Sequence, residues 1–575
     1  MTLARRRAWI AGITLVAFYL GTLLTAALLV VSAAACVYGI VEKGVSNAYA
    51  LLLLACCCVA AAYGLLRGIV RARPLPFVEP GKRIERADAP RLFSMLDELA
   101  QGAGIDTPHR VYLGFASQMF VTETAIGFLG RNSERVVCIG AGHVQHAPIR
   151  LLRAMLAHEL GHFAGGDTRS NGMVPFIEGA FRSVMQSTHA GSTEGGIFRQ
   201  AMSGWSRLVG KRVVHVFAWI YYRLSGPISR SQELAADRLA ATLAGRESIA
   251  LALSEDAIFS PLYDAFLREY VLPWVAHGVC PDDLVGCFQR LRTRLTERGA
   301  LDALIRANEE AKTDPFDSHP ALAERLRILA EQPEGAHHAD DDERGTALFA
   351  PEFGFDAWYP AALAAIVAPD RKTPLTTMPL EQMVREVVPG RIEADAAVIR
   401  ERFAQWHPNL CTNSQMFAAA LDAVAAQRVP HLARLFEPGL PTYSRQAETA
   451  VVLLVTTVLF EAALVDCGAT PCVSLGETSR IFDLDGERVR PGDLVAALPT
   501  EPDAGQVLYA WSRRLAALSM APPNARRPTP PPRELLSKPL AEPPGATDQR
   551  SDHNPGADLA QGRGDVDGDR SAERT

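Results

Sequence analysis

The sequence predicts a mainly α-helical protein with one small β-sheet, set behind an N-terminal transmembrane helical hairpin. A mostly helical C-terminal region and a disordered tail follow. Three observations predict this. Two long apolar runs, 8–41 and 48–66, contain no charged residue. Three short runs rich in Val, Ile, Tyr and Thr, at 110–115, 118–126 and 135–139, read as strands. Elsewhere apolar residues mostly recur at helical spacing.

Each apolar run is long enough to cross a bilayer, the first with residues to spare for tilt. A signal peptide does not fit the first, which is too long and is closely followed by the second. Arg5, Arg6 and Arg7 precede the pair, and Arg67, Arg71 and Arg73 follow it. The turn between carries only Glu42 and Lys43. Positive charge at both outer ends predicts that the N-terminus and everything after residue 67 face the cytoplasm. Residues 1–73 are therefore expected to anchor a multi-pass protein in the cell (inner) membrane, with the lipid bilayer as a partner. The frequent Ala, Gly and Ser in the runs suit close helix packing.

At 575 residues the chain has length for two to four domains. Its formal net charge of -6 gives no basic excess of the kind a nucleic-acid surface needs. Ten scattered cysteines fit free thiols in a reducing compartment better than a disulfide framework.

After the anchor, 87–100 reads as an amphipathic helix built on Leu92, Phe93, Met95, Leu96 and Leu99. The three strands follow. Leu151, Leu152, Met155 and Leu156 then give an apolar helical face that runs into His158-Glu159-Leu160-Gly161-His162, and Gly165-Gly166 closes the helix. Residues four apart on a helix lie on one face, so both imidazoles can grip one metal ion while Glu159 serves as a general base. A buried helix with two hydrogen-bonded histidines is the plainer alternative. It would not require a glutamate beside them, nor a further ligand downstream.

Segments 173–185 and 209–224 are apolar but carry charges. They are expected to be helices on the membrane surface or on the anchor hairpin, with a marginal further pair of spans as the alternative. Residues 229–241 form a strongly helical stretch with Glu233 and Asp237 one turn apart. Catalytic zinc usually takes three protein ligands, which makes Glu233 the candidate third. Asp237 would orient a ligand histidine through its other ring nitrogen. A solvated helix face is the alternative for this pair.

Three ordered motifs now stand together: His158-Glu159-x-x-His162, then Ser229-Arg230-x-x-Glu233-x-x-Ala236-Asp237, then Ser318-His319-Pro320 with Glu324-Arg325-Leu326. They resemble the integral-membrane zinc metallopeptidases that include the HtpX heat-shock proteases and the CAAX prenyl endopeptidases. The resemblance covers roughly residues 80–330. It implies a zincin-like α+β catalytic domain with one Zn2+ per chain, held by His158, His162 and Glu233. Glu159 is then the base, and Asp237 and Arg230 support the ligands. His319 and Arg325 become candidates to stabilise developing negative charge, although His319 also suits the residue before a first-turn proline. Met119, Phe120, Val121 and Thr122 stand where the family carries an Asn-Ala-x-Ala sequence, and are expected to form the edge strand that receives an extended polypeptide.

The expected domains are the anchor (1–73), a metallopeptidase domain (74–332), an acidic linker (333–345), a C-terminal helical domain (346–520) and a tail (521–575). Within the fourth, 449–465 reads as a buried core helix interrupted by Glu461. Asp485-Gly486 reads as a hairpin turn. The fourth domain contains no second catalytic constellation and is a candidate for binding protein partners. The chain as a whole is expected to be a membrane-anchored zinc endopeptidase acting on membrane or membrane-associated proteins at the cytoplasmic face, in quality control. A protease dedicated to one substrate and a non-catalytic scaffold are the alternatives.

Overall fold

The structure is a computed structural model describing residues 3–43, 48–73, 77–126, 132–166, 174–189, 197–313, 317, 319–334, 342–367, 373–426, 428–436, 445–477, 479–501 and 503–519. The tail expected at 521–575, Ser318 and most of the expected acidic linker lie outside the described residues. The described chain divides into two compact units. One holds the residues up to Asp264 together with Ala303–Phe353, and the other holds Ala265–Asp302 and the chain from Gly354 onward.

The first unit opens with helices α1 (Leu3–Lys43) and α2 (Ala48–Arg71). Both contain a segment long and apolar enough to cross a membrane, as does Glu448–Asp466 in the second unit. The hydroxyls of Thr22, Thr25 and Ser32 in α1 donate to carbonyls one turn back, which satisfies them without water.

A four-stranded sheet follows, in the order β1-β2-β4-β3, formed by β1 (Lys82–Ile84), β2 (Arg110–Gly114), β3 (Phe120–Ile126) and β4 (Asn132–Gly140). The three expected strands are present; the short β1 was not expected, because three residues carry too little pattern. β2 and β4 are parallel and the outer pairs antiparallel. Among the described residues β3 is thus an edge, paired through its β4 side alone from Phe120 opposite Cys138 to Ile126 opposite Asn132. The helix expected at 87–100 is α3 (Pro90–Gly102), whose Leu92, Met95, Leu96 and Leu99 are buried.

Helices α4 (Ala141–His146) and α5 (Ile149–Ala164) continue from β4. Gly166 then takes φ +71°, and this left-handed turn closes the helix as the Gly-Gly pair suggests. The two charged apolar segments belong to α6 (Val174–His189) and α7 (Ile197–Ala244), and both pack on the anchor hairpin. The packing is tight. A Cβ on Gly68 of α2 would lie 2.7 Å from the Cα of Val184, and the Ser183 hydroxyl donates to the Gly68 carbonyl at 2.8 Å. α7 does not end at the membrane bundle: its 48 residues run on unbroken into 229–241. Helix α8 (Arg246–Phe266) covers α4 through Phe259 and Tyr263. The end of the expected linker bonds back into this unit, where the Ile149 N–H donates to the Glu343 carbonyl and Arg91 pairs with the Glu343 carboxylate.

The charged amphipathic stretch 282–306 forms two helices, Leu284–Glu297, within the second unit, and Ala300–Glu310, which passes out of it at Ala303. Gly299 between them sits at φ +68°, a helix terminator that the charge pattern hides. Conversely, Pro389 does not break Leu380–Trp406. Met383, Val387, Ile392, Ala396 and Ile399 give that helix one continuous buried face, worth more than the backbone bond lost at the proline. Helix Arg445–Asp466 buries Val452, Leu459, Phe460 and Ala463, and Phe417 stacks on Phe460 with centroids 4.6 Å apart. Glu461, 4% exposed, is paired with Arg480. Arg480→Ala takes the partner from that buried carboxylate, and because Arg480 itself is 33% exposed the expected destabilisation of this unit is about 2 kcal/mol, below that for a fully buried pair. Hydrogen exchange along 445–466 should rise accordingly.

Candidate metal centre

Two helices build the site. α5 presents His158 and His162 one turn apart, and α7 presents Glu233 and Asp237 one turn apart. They cross where Gly161 faces Ala236: a Cβ on Gly161 would lie 2.9 Å from the Ala236 Cα and 3.0 Å from its Cβ. The glycine inside the motif therefore sets how closely the imidazoles approach the carboxylate. Gly161→Val should force the helices apart and lower metal affinity at least tenfold, read by metal titration, while the sheet and the membrane bundle persist.

Across this contact His158 Nε2 lies 3.4 Å from Glu233 Oε2, and His162 Nε2 lies 3.5 Å from Glu233 Oε1. Three ligand atoms, one from each residue, lie within 4.8 Å of one another. Tetrahedral zinc with bonds near 2.0–2.1 Å places its ligand atoms about 3.3–3.4 Å apart, so the spacing fits. Two imidazoles and a carboxylate are also a donor set that zinc accepts. The three residues converge as the sequence pattern expects.

The surrounding groups fix the ligands. Asp237 is fully buried, with one carboxylate oxygen 3.0 Å from His158 Nδ1. The Arg325 guanidinium donates to the same carboxylate through Nε at 2.8 Å and Nη2 at 2.6 Å, and lies 3.7 Å from Glu233. Arg325 is thus engaged with Asp237, and its geometry is that of a group holding the ligand support in place. His319 is exposed beside the site, its Nδ1 3.0 Å from Glu233 Oε2. Arg230 does not touch the ligands in its described contact: it donates to the Asp317 carbonyl, two residues before His319. Sequence order alone could not give that destination.

Electrostatics follow from burial and these partners. Burial pushes the Glu159 carboxyl above its ordinary value. Burial works against a charged His158, but the Asp237 and Glu233 carboxylates outweigh it and push His158 up to about 10. A raised histidine stabilises the metal-free fold fully below its ordinary value of 6.5, and that contribution is lost as pH rises through about 10. At neutral pH a metal ion must therefore displace the His158 proton. Metal titrations in buffers of different ionisation enthalpy should register that release, and affinity should weaken as pH falls.

A second histidine–carboxylate pair lies behind the site. The buried His143 donates from Nδ1 to the Ser117 carbonyl at 2.5 Å, and its Nε2 is 2.9 Å from Asp256. The Ser117 hydroxyl reaches Asp264 at 3.0 Å. These contacts pin the chain three residues before β3. The expected receiving strand corresponds to β3, with Met119 just before it and Phe120, Val121 and Thr122 within it, all half-buried. Sequence reasoning missed His143, since its partners are 26 and 113 residues away and share no local pattern.

The family model for peptidase family M48 matches residues 86–332, the stretch that contains every residue of this site. Residues 86–332 are a peptidase family M48 domain. Among similar proteins, the "Protease HtpX homolog" of Sulfurihydrogenibium sp. (strain YO3AOP1) is 26% identical over 257 residues, covering 44% of this chain and 76% of the relative. The protein of the same name from Persephonella marina is 28% identical over 265 residues, covering 45% and 78%. "Protease HtpX homolog 1" of Streptomyces coelicolor is 32% identical over 198 residues, covering 31% and 57%. No solved structure matches the chain. The M48 domain makes the protein a metallopeptidase, and the apolar helices that precede it make it a membrane protein. The second unit lies largely outside the matched region.

Proposed function

We propose that this M48 protein is a zinc endopeptidase that cleaves membrane or membrane-associated proteins at the cytoplasmic face, as part of protein quality control. The convergence of His158, His162 and Glu233 beside Glu159 carries the reading.

His158, His162 and Glu233 would hold zinc, which when bound supplies Lewis acidity for the scissile carbonyl and eases deprotonation of water. Arg325 holds Asp237, and Asp237 holds His158 in the tautomer that leaves Nε2 for the metal. Glu159 takes the proton from the attacking water and returns it to the leaving amine. The substrate backbone adds to β3 along Met119, Phe120, Val121 and Thr122, which sets the scissile bond in register. His319 donates toward the oxygen that gains negative charge.

The cytoplasmic assignment rests on the arginines that flank the anchor's outer ends. An anchored site with an open strand edge suits extended segments of membrane proteins. The test compares membrane-associated proteins accumulating in cells that carry wild type and Glu159→Gln. A broad set of accumulating membrane proteins is expected. A single accumulating precursor would point instead to a dedicated processing protease, and no change at all would contradict the proposal.

A further inference from the structure

Helix α7 has two unlike faces in its first half. Ser206, Gly210, Phe217 and Tyr221 turn inward: Ser206 and Gly210 against α2 and α6, Phe217 against Phe18 and Gly21, and Tyr221 against Ala11. The opposite face is exposed and carries Lys211, Arg212, His215 and Arg223. Interleaved with them are exposed apolar residues, with Leu208 at 47%, Val216 at 51% and Trp219 at 50%. From residue 197 to 232 the helix contains no acidic residue. Among the described residues none of these four basic side chains has a carboxylate partner; the ion pairs of this unit lie elsewhere. A helix face on a folded domain in water ordinarily intersperses acids with such a run.

The depth of this face is fixed by its neighbours. Ser206 meets Gly64, three residues before Arg67, the charge that closes the apolar run of α2. Phe217 meets Gly21, well inside the apolar run of α1. Lys211 and Arg212, one to two turns past Ser206 on α7, therefore stand near the level where the second anchor helix leaves the hydrocarbon. Cations mixed with Trp and aliphatic residues at that level match the chemistry of a bilayer interface, where anionic headgroups meet acyl chains.

We infer that the outward face of α7 around Lys211, Arg212, His215 and Arg223 is a binding surface for anionic phospholipid. The headgroup phosphates pair with the cations, and the acyl chains lie along Leu208, Val216 and Trp219. The same helix carries Glu233 and Asp237 about three and four turns beyond Arg223, so lipid held here also steadies the helix that presents the metal-site carboxylates.

Trp219 reports on this once the other six tryptophans, among them the exposed Trp9 and Trp205, are replaced by phenylalanine. The full-length chain is placed in phosphatidylcholine nanodiscs containing a minority of brominated phosphatidylglycerol or, separately, of brominated phosphatidylcholine. Tryptophan fluorescence is expected to be quenched more strongly by the anionic lipid. The excess should shrink in high salt and vanish in the K211Q/R212Q/R223Q variant, with preference falling roughly fivefold per cation removed. The charge-preserving K211R/R212K/R223K variant should keep it, and metal content should be unchanged in both. Equal quenching by the two headgroups in the single-tryptophan protein would overturn the proposal. So would an excess that survives the glutamine variant or is lost in the charge-preserving one. A glutamine variant that changes only the cleavage of acidic peptides, with lipid quenching unaltered, would assign the face to polypeptide and overturn it equally.

Discussion

Glu159→Gln is expected to keep its full complement of metal and to lose peptide cleavage by about three orders of magnitude, the middle of the range for removing a general base. The amide is nearly isosteric with the carboxylate and leaves His158, His162 and Glu233 untouched, so binding and chemistry separate. Glu159 sits between the two histidines in sequence, where its carboxylate must both accept and return a proton, and burial raises its carboxyl above its ordinary value. The amide can do neither. Single-turnover cleavage of a peptide substrate by the purified full-length chain measures the effect. A loss confined to KM would assign Glu159 to substrate binding and not to proton transfer.

Asp237→Ala is the second large effect, and it acts without removing a ligand. Asp237 receives two hydrogen bonds from Arg325 and faces His158 Nδ1, all at a position with no solvent exposure. Alanine leaves a buried guanidinium without its carboxylate and a ligand imidazole without its orienting partner. Breaking a buried pair from one side costs about 3–5 kcal/mol. Losing a group that orients a ligand histidine lowers metal affinity by roughly 10–100-fold. Thermal unfolding and metal titration of the same preparation should report both losses. Asp237→Asn should recover part of the affinity but little of the stability, because the amide keeps the shape and loses the charge that Arg325 requires. The charge also sets the sign of the pH response. With Asp237 gone, His158 is held less far above its ordinary range, so proton competition with the metal at neutral pH should weaken even as affinity falls.

The parts of the site readable in the sequence were those whose geometry is local. His158 and His162, and likewise Glu233 and Asp237, are one helical turn apart, so each pair shares a face whatever the fold does. The strands at 110–115, 118–126 and 135–139 were readable for the same reason, from side-chain alternation and β-branched residues. What the sequence could not supply were partners distant along the chain. Gly161 looks like filler until Ala236 is placed against it. Arg325 reads as a cation for the reaction until Asp237 takes the Nε–Nη2 edge of its guanidinium. His143 has no recognisable motif, because Ser117 and Asp256 meet it only through the sheet and α8. The continuity of α7 was hidden as well. Polar residues at 211, 212, 215 and 223 interrupt its apolar pattern, and only packing against α1, α2 and α6 shows that small and aromatic residues such as Gly210, Phe217 and Tyr221 share one inward face. Single residues decided the remaining differences: Gly299 ends a helix that the charge pattern continues, and the packing around Pro389 continues one that the proline should end.

The central claim is that α5 and α7 together hold one metal ion through His158, His162 and Glu233. Elemental analysis of the purified full-length chain, wild type beside Glu233→Ala, tests it most directly. One zinc per chain is expected in the wild-type protein and almost none in the variant, with helix content unchanged. A wild-type protein that binds no zinc, or a Glu233→Ala protein that retains it in full, would contradict the account.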